Sequence, residues 1–562
     1  MQQTCRNPWC KAVFEVTDDD LSMLQKLAPV IGGVTFAIPP PTLCWPCRSQ
    51  RRYTHRNERN LYWRKDDMTG EQILSIYAQD KPFPVYSSEN WNSDRWDSAA
   101  YGRSFDFSRP FFAQYVELRD QVPRMALAAV LNENCPYVNQ VWHSRNCYLC
   151  IDAGYCEDVL YAYATYHCRD TADCAHTRES ELSYELVDCV KCYGCAVLQD
   201  CTDCRDSLFS VDCRQCNHIA FCGNLRGKEY CFGNKQLTPE AWEAAVQPLR
   251  SGSYKAWAKA VEDFHSLLPK TIRRATHTVQ CEECVADYFL HSQRCFHCFD
   301  GDASQDLRHC CRMDERVKSA MDIDQASDTE VAYNGLSIAG HGIWCCSASW
   351  SETNSNLLYC DLARSASDCF GCVGVKNKRY CILNKQYTRE EYERLVPQII
   401  AHMRKTGEWG EFFPPETSSF GFNESMASTY FPLSRKEVLQ RGWHWRDVPE
   451  EPPQAERIIE SNDLPDNIDD VPDAILRSAI RCQATGRLFK IIKQELLYYR
   501  AHKIPLPRFH PDERHKRRIA LRNPRKLWDR KCSNCRKSII TSYSPERPER
   551  VYCEECYLKE VY

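Results

Sequence analysis

Two stretches of the chain, near 135–247 and 281–397, show short extended runs of small and apolar residues broken by polar corners of Asp, Asn or Gly. The segments Asp188-Cys189-Val-Lys-Cys192-Tyr-Gly-Cys195, Cys201-Thr-Asp-Cys204, Asp212-Cys213-Arg-Gln-Cys216 and Cys369-Phe-Gly-Cys372 set this rhythm. It predicts a parallel β-solenoid, whose coils stack small side chains in interior rows. A helix start closes each stretch. Thr388-Arg-Glu-Glu391 is a capping box ahead of Tyr392, and Thr238-Pro239 places proline at a first helical position. From Arg48 to Lys65 no Gly or Pro intervenes, so a helix is predicted with Arg52, Arg56 and Arg59 on one stripe. Asp447–Pro453 through Asp469–Pro472 is acidic and proline-rich and reads as a linker. No run approaches the roughly 20 apolar residues needed to span a bilayer.

The two stretches are duplicates. His143-Ser-Arg-Asn-Cys147-Tyr-Leu-Cys150 recurs as His291-Ser-Gln-Arg-Cys295-Phe-His-Cys298. Lys228-Glu-Tyr-Cys231 through Thr238 recurs as Lys378-Arg-Tyr-Cys381 through Thr388. The ends match each other as well: Arg52 to Lys65 aligns with Arg518 to Lys531, Ile38-Pro-Pro-Pro41 with Ile504-Pro-Leu-Pro507, and Val85-Tyr86 with Val551-Tyr552. The expected fold is mixed and multidomain, with duplicated cysteine-bearing end modules flanking two tandem cysteine-rich repeat units, each followed by helices. The boundaries expected are an N-terminal module at 1–97, a helical connector at 98–134, repeat units at 135–274 and 275–405, a small helical region with the acidic linker at 406–474, and a C-terminal module at 475–562.

Cysteine changes the picture most, at 36 of 562 residues. No export signal reads at Cys5-Arg-Asn-Pro-Trp-Cys10, so a soluble cytoplasmic protein with reduced thiols is expected. Reduced cysteines bind metal, react, or pack as small apolar residues. In the repeats they recur too densely for separate tetrahedra, and packing is the first reading there, ahead of further metal sites or redox chemistry. The shared His143 and His291 are a hint of a polar site.

The end modules carry the metal argument. In their common register each would hold two four-cysteine sites. The N-terminal copy keeps the first, Cys5, Cys10, Cys44 and Cys47, and has Asp66, Thr69, Ser87 and Asn90 at the second. The C-terminal copy keeps the second, Cys532, Cys535, Cys553 and Cys556. At its first site only Cys482 remains, with Thr485, His510 and Glu513. Paired cysteines let two sulfurs face one ion, and two pairs complete a tetrahedron of thiolates, so two Zn2+ per chain are expected. Iron is the alternative, since all-thiolate tetrahedra also hold it. Four protein ligands leave no open position, which points to structural sites.

Arg522–Cys532, Tyr543–Tyr562 with Cys553 and Cys556, and Gly407-Glu-Trp-Gly-Glu-Phe-Phe413 carry a resemblance. The chain resembles zinc-ribbon, treble-clef cysteine-rich proteins of candidate-phyla-radiation bacteria over essentially its whole length. The resemblance implies zinc at the matching cysteines and a bacterial cytoplasmic setting. It implies no activity.

Net charge is only −4, but basic residues cluster beside both tetrads. Arginine interleaved with Tyr and Trp suits phosphate and unpaired bases. Arg51, Arg52, Arg56, Arg59, Arg517, Arg518, Arg522 and Arg525 are therefore the candidate nucleic-acid contacts, with RNA favoured. The alternatives are a solvated face whose arginines pair with Glu58, Glu71, Asp512 or Asp529, and an acidic protein partner. No phosphate-binding Gly-rich loop, H-E-x-x-H or nucleophile elbow is present. Two functions follow: a non-enzymatic zinc protein that binds nucleic acid, or a protein-interaction scaffold using the solenoid surface.

Overall fold

The computed structural model describes residues 1–447 and 452–562. The chain divides into two compact units, each made of two separate stretches. One joins Met1–Leu127 to Thr276–Asp447, and the other joins Ala128–Ala275 to the described residues from 452 onward. Each end module thus shares a unit with the repeat more distant from it in sequence. The linker expected from Asp447 lies partly outside the described residues.

In the unit holding the first repeat, a parallel sheet keeps a register of twelve: Ile151 pairs with Tyr163, Tyr163 with Ala175, Tyr184 with Ala196, and Ala196 with Leu208. Between Leu131 and Tyr230 every third residue has a left-handed φ, from 46° to 65°. The backbone therefore turns a corner every three residues and passes four corners per register step. Among residues with a Cβ, Asn and Asp tolerate this conformation best. The corners include Asp158, Asp170, Asp173, Asp188, Asp200 and Asp212, with glycine at Gly194 and Gly227.

A three-residue side leaves one side chain pointing inward. These include Cys189, Cys192, Cys195, Leu198, Cys201, Cys204, Ser207 and Ser210, all buried. Four such side chains share each rung, and at interior packing density mostly small ones fit. The sulfurs and hydroxyls make the same bonds. Cys195 Sγ donates to the carbonyls of Tyr193 and Cys204 at 3.3 and 3.4 Å, as Thr177 Oγ1 does to those of Ala175 and Leu186 at 3.2 and 3.4 Å. Cys204→Ser is accordingly expected to change stability by less than about 1.5 kcal/mol, and Cys204→Leu to cost about 1–3 kcal/mol by overpacking. Denaturant midpoints measure both, and a serine costing more than the leucine would contradict the shared role.

Stacking twelve residues apart also places charges in columns. Arg145 meets Glu157, and Arg169 meets Glu181, so these columns alternate in sign. Asp188, Asp200 and Asp212 share a corner and are alike in charge, and arginines answer each: Arg522, Arg273 and Arg226. The sheet ends in an antiparallel hairpin, Glu229–Phe232 with Lys235–Gln236, followed by the helix Pro239–Val246 capped by Thr238. An antiparallel closure protects the last edge.

The other unit follows the same plan less regularly. Gln293 pairs with Gln305 and Cys369 with Cys381, but the register shifts after Val285 and after Ala339. Its closing hairpin, Arg379–Ile382 with Lys385–Gln386, leads into the helix Arg389–Thr406, which Thr388 and Glu391 cap reciprocally. Phe111, Tyr115, Tyr359, Phe370, Phe412 and Phe413 fill the layer between this sheet and its covering segments. Among the described residues no helix is long and apolar enough to cross a membrane.

The helix expected from Arg48 to Lys65 is shorter than its pattern suggests. It spans Trp45–Tyr53, and Tyr62–Lys65 instead pairs as a strand with Gln72–Ser75. Asn57 lies in the break. Its side chain donates to the carbonyls of Asn60 and Ile76 and accepts from the Asn60 amide. Such side-chain bonds to local backbone compete with helix.

Candidate metal centres

Each cysteine tetrad is built from a turn beside a hairpin and the first turn of a helix. At the N-terminus, Cys5 follows the strand Gln2–Thr4, Cys10 lies in the turn before Val13–Glu15, and Cys44 is the N-cap of Trp45–Tyr53, which contains Cys47. At the C-terminus, Cys532 and Cys535 lie between the strands Trp528–Lys531 and Ser538–Thr541. Cys553 is the N-cap of Glu554–Val561, which contains Cys556.

Within each tetrad all four sulfurs lie within 4.8 Å of one another. Cys10 and Cys44 Sγ are 3.7 Å apart, as are Cys535 and Cys553 Sγ. A tetrahedron with metal–sulfur bonds of about 2.3 Å has sulfurs about 3.8 Å apart. The donor set and its spacing therefore fit a four-coordinate thiophilic ion. Among the described residues these are the two groups of three or more His, Cys, Asp or Glu with this closeness.

Backbone amides and helix N-termini favour negative sulfur here. The Cys44 amide donates to Cys5 Sγ, and the Cys553 amide to Cys532 Sγ, both at 3.3 Å. Asn7 Nδ2 donates to Cys47 Sγ at 3.1 Å. The Cys47 thiol and amide draw the Cys44 thiol down to about 5 against burial. Burial pushes the Cys532 thiol up, but the amides of Cys553, Cys535 and Asn534 outweigh it and bring it to about 6.

The two degenerate sites keep the same bond. The Ser87 amide donates to Asp66 Oδ2 at 3.0 Å, and the His510 amide to Cys482 Sγ at 3.2 Å. In all four places, the first position holds a carboxylate or sulfur that accepts the amide of the residue starting the second pair. At the second N-terminal site Asp66 makes the cross-link by hydrogen bonds. Its carboxylate also accepts from the Met68 amide at 2.8 Å and from Asn90 Nδ2. Burial would raise its pKa, but the amides of Ser87 and Met68 hold it below the usual carboxylate range. Asp66→Ala is expected to cost about 1–3 kcal/mol by stranding these donors. Urea unfolding measures this, and a change below about 0.5 kcal/mol would remove the cross-link role.

Most of the arginine stripe is not solvent-facing. Arg52 is fully buried, with Nε 2.6 Å from Asp324 Oδ2 and Nη1 donating to Asn334 Oδ1 at 3.0 Å. One turn earlier, Arg48 Nε lies 2.8 Å from Asp322 Oδ2. Arg56 pairs with Glu58 at 2.7 Å, as the solvated-face alternative named, but both are buried, and Glu58 also meets Arg312. Arg51 is half-buried against Glu411, and Arg59 is half-buried.

The C-terminal copy repeats this docking on the first-repeat sheet. Arg514 and Arg518 clasp opposite oxygens of Asp173, at 2.6 and 2.5 Å. Arg522 Nε meets both oxygens of Asp188, at 3.0 and 2.9 Å. Arg525 is half-buried, and Arg517, with a side chain 51% exposed, pairs with Glu513. The partners that sequence reading missed are Asp173, Asp188, Asp322 and Asp324. Asp173 and Asp188 sit at left-handed corners of the sheet, as does Asp322. His143 stacks on Tyr155, and Tyr155 on His167, in an exposed column at 5.1 and 4.8 Å. His291 Nδ1 lies 2.8 Å from Asp302. Compared with protein-family models and with curated proteins, the chain finds no match among either.

Proposed function

We propose that this is a non-enzymatic zinc protein in which two tetrathiolate Zn2+ ions brace treble-clef modules on β-solenoid sheets, leaving outer solenoid faces as a protein-interaction scaffold. The observation that carries this reading is the repeated docking: the same arginine stripe is buried against sheet carboxylates at both ends. The register of twelve with three-residue sides supports the solenoid. The turn, hairpin and helix around Cys532–Cys556 support the likeness to zinc-ribbon proteins. Sulfur spacing supports zinc, and saturated coordination supports a structural role. Interior thiols that donate hydrogen to carbonyls need the reduced state, which supports a cytoplasmic setting.

This reading displaces nucleic-acid binding through the arginine stripe. To reach phosphate, Arg52, Arg518 or Arg522 would have to leave a buried carboxylate, and stranding a buried charge is costly. Elemental analysis is expected to find about two zinc ions per chain; none, or iron instead, overturns the metal assignment. In a titration with mixed-sequence RNA at physiological salt, the Arg522→Ala, Arg525→Ala double variant is expected to bind no differently from the parent. A salt dependence that becomes shallower by about one to two log units per log salt would restore the phosphate role.

A further inference from the structure

Both tetrads share an asymmetry. Three cysteines of each are buried or nearly so, while the second knuckle cysteine, Cys10 or Cys535, is exposed. In each, the exposed sulfur lies 3.7 Å from the sulfur of the helix-capping cysteine, Cys44 or Cys553. We propose that Cys10 and Cys535 are oxidative modification sites, where hydrogen peroxide forms the disulfides Cys10–Cys44 and Cys535–Cys553 and releases the metal. This rests on the zinc reading above.

A zinc ion with four thiolate ligands has no position for peroxide, so the chemistry must begin at sulfur. Metal-bound sulfur is thiolate, the nucleophilic form. The exposed thiolate attacks one peroxide oxygen: an S–O bond forms, the O–O bond breaks and hydroxide leaves. The capping thiolate then attacks that sulfur: the S–S bond forms, the S–O bond breaks and a second hydroxide leaves. Two thiolates and one hydrogen peroxide give one disulfide and two hydroxides, two electrons passing from sulfur to oxygen. Zinc, with two ligands lost, departs.

The rest of the chain supplies an internal contrast. Cys189, Cys195, Cys201 and Cys204 are buried and donate to carbonyls as thiols. The half-buried Cys135, Cys281 and Cys284 likewise donate, to the carbonyls of Glu133, Val279 and Glu282. Oxidation is thus directed to the tetrads by both exposure and thiolate character.

The test uses the zinc-loaded full chain, with peroxide added stepwise, zinc release followed by a chromogenic chelator, and oxidised cysteines mapped by mass spectrometry after alkylation. Release of about two zinc ions per chain is expected, with Cys10 and Cys535 oxidised first, the two named disulfides as products, and reversal by a dithiol with added zinc. Cys535→His keeps four ligands but removes one disulfide, so release should fall about twofold, to one zinc. If that variant binds no zinc, the order of oxidation in the parent chain still decides. Zinc retained under peroxide, or first oxidation at a buried or repeat cysteine, overturns the inference while leaving the zinc reading intact. A chain purified without zinc overturns both.

Discussion

Chelation of the proposed zinc from the full chain is expected to unfold the N-terminal knuckle before the C-terminal one, with both losing structure that the repeat sheets keep. Structural zinc contributes apparent binding free energies of about 10–16 kcal/mol in small modules, and that energy is folding energy. The two knuckles have unequal reserves. Around the first tetrad the buried cluster is Cys5, Cys44 and Cys47 themselves, with only Phe14 and Leu43 packed against it. Around the second, Ile272, Ile539, Tyr543, Val551, Tyr552 and Tyr557 join the cysteines, and Arg273–Arg274 pairs with Val551–Tyr552. Hydrogen exchange should show the Cys44 amide losing protection at lower chelator concentration than the Cys553 amide. Simultaneous loss at both ends would count against the unequal reserves, and protection unchanged without zinc against metal as the brace.

Asp173→Ala should be the most damaging single change outside the tetrads, at about 3–5 kcal/mol. One carboxylate neutralises two guanidiniums, Arg514 and Arg518, and all three are buried. Its removal takes the shared anion from both cations and leaves Arg514 with Glu495 at 3.2 Å. The diagnosis is stranded charge rather than lost packing, so a rescue is expected. Adding Arg514→Met and Arg518→Met to Asp173→Ala should recover most of the lost stability, because apolar residues of similar volume often replace buried ion pairs at little cost. Denaturant unfolding of the parent, Asp173→Ala, the Arg514→Met, Arg518→Met pair and the triple variant forms the cycle. If the triple variant is less stable than Asp173→Ala alone, the arginines do more than answer that carboxylate.

The tetrads are legible in the sequence because metal ligands come in local pairs, and a pair's spacing survives whatever the rest of the chain does. The duplicated segments ending at Thr238 and Thr388 are legible for the same reason: each forms a closing hairpin and a capped helix from nearby residues alone. The arginine stripes are half legible. Their helical spacing is visible, but Asp324 lies 272 residues from Arg52, and Asp173 lies 345 from Arg518. A basic stripe read without its distant anion resembles a surface for phosphate. The interior rows are legible but their three-residue period is not, because familiar amphipathic periods are 2 and 3.6, whereas Cys189, Cys192, Cys195 and Leu198 recur every third residue. Corners filled by Tyr155, His167 or Phe209 disguise the turns that Asp and Gly announce elsewhere.

The three-residue side gives the repeats something like a reading frame. Inserting one residue between Cys195 and Cys201 would send every later inward position of that sheet to a corner or an outer face, exposing thiols and burying aspartates. Three residues would restore inward and outward but rotate the rest by one corner, taking Asp212 out of the column that Asp188 occupies. Only twelve would add a complete rung and leave each column in line. Growth and shrinkage of such a sheet by duplication should therefore proceed in steps of twelve, with other lengths tolerated chiefly where the register already shifts, as after Val285 and Ala339.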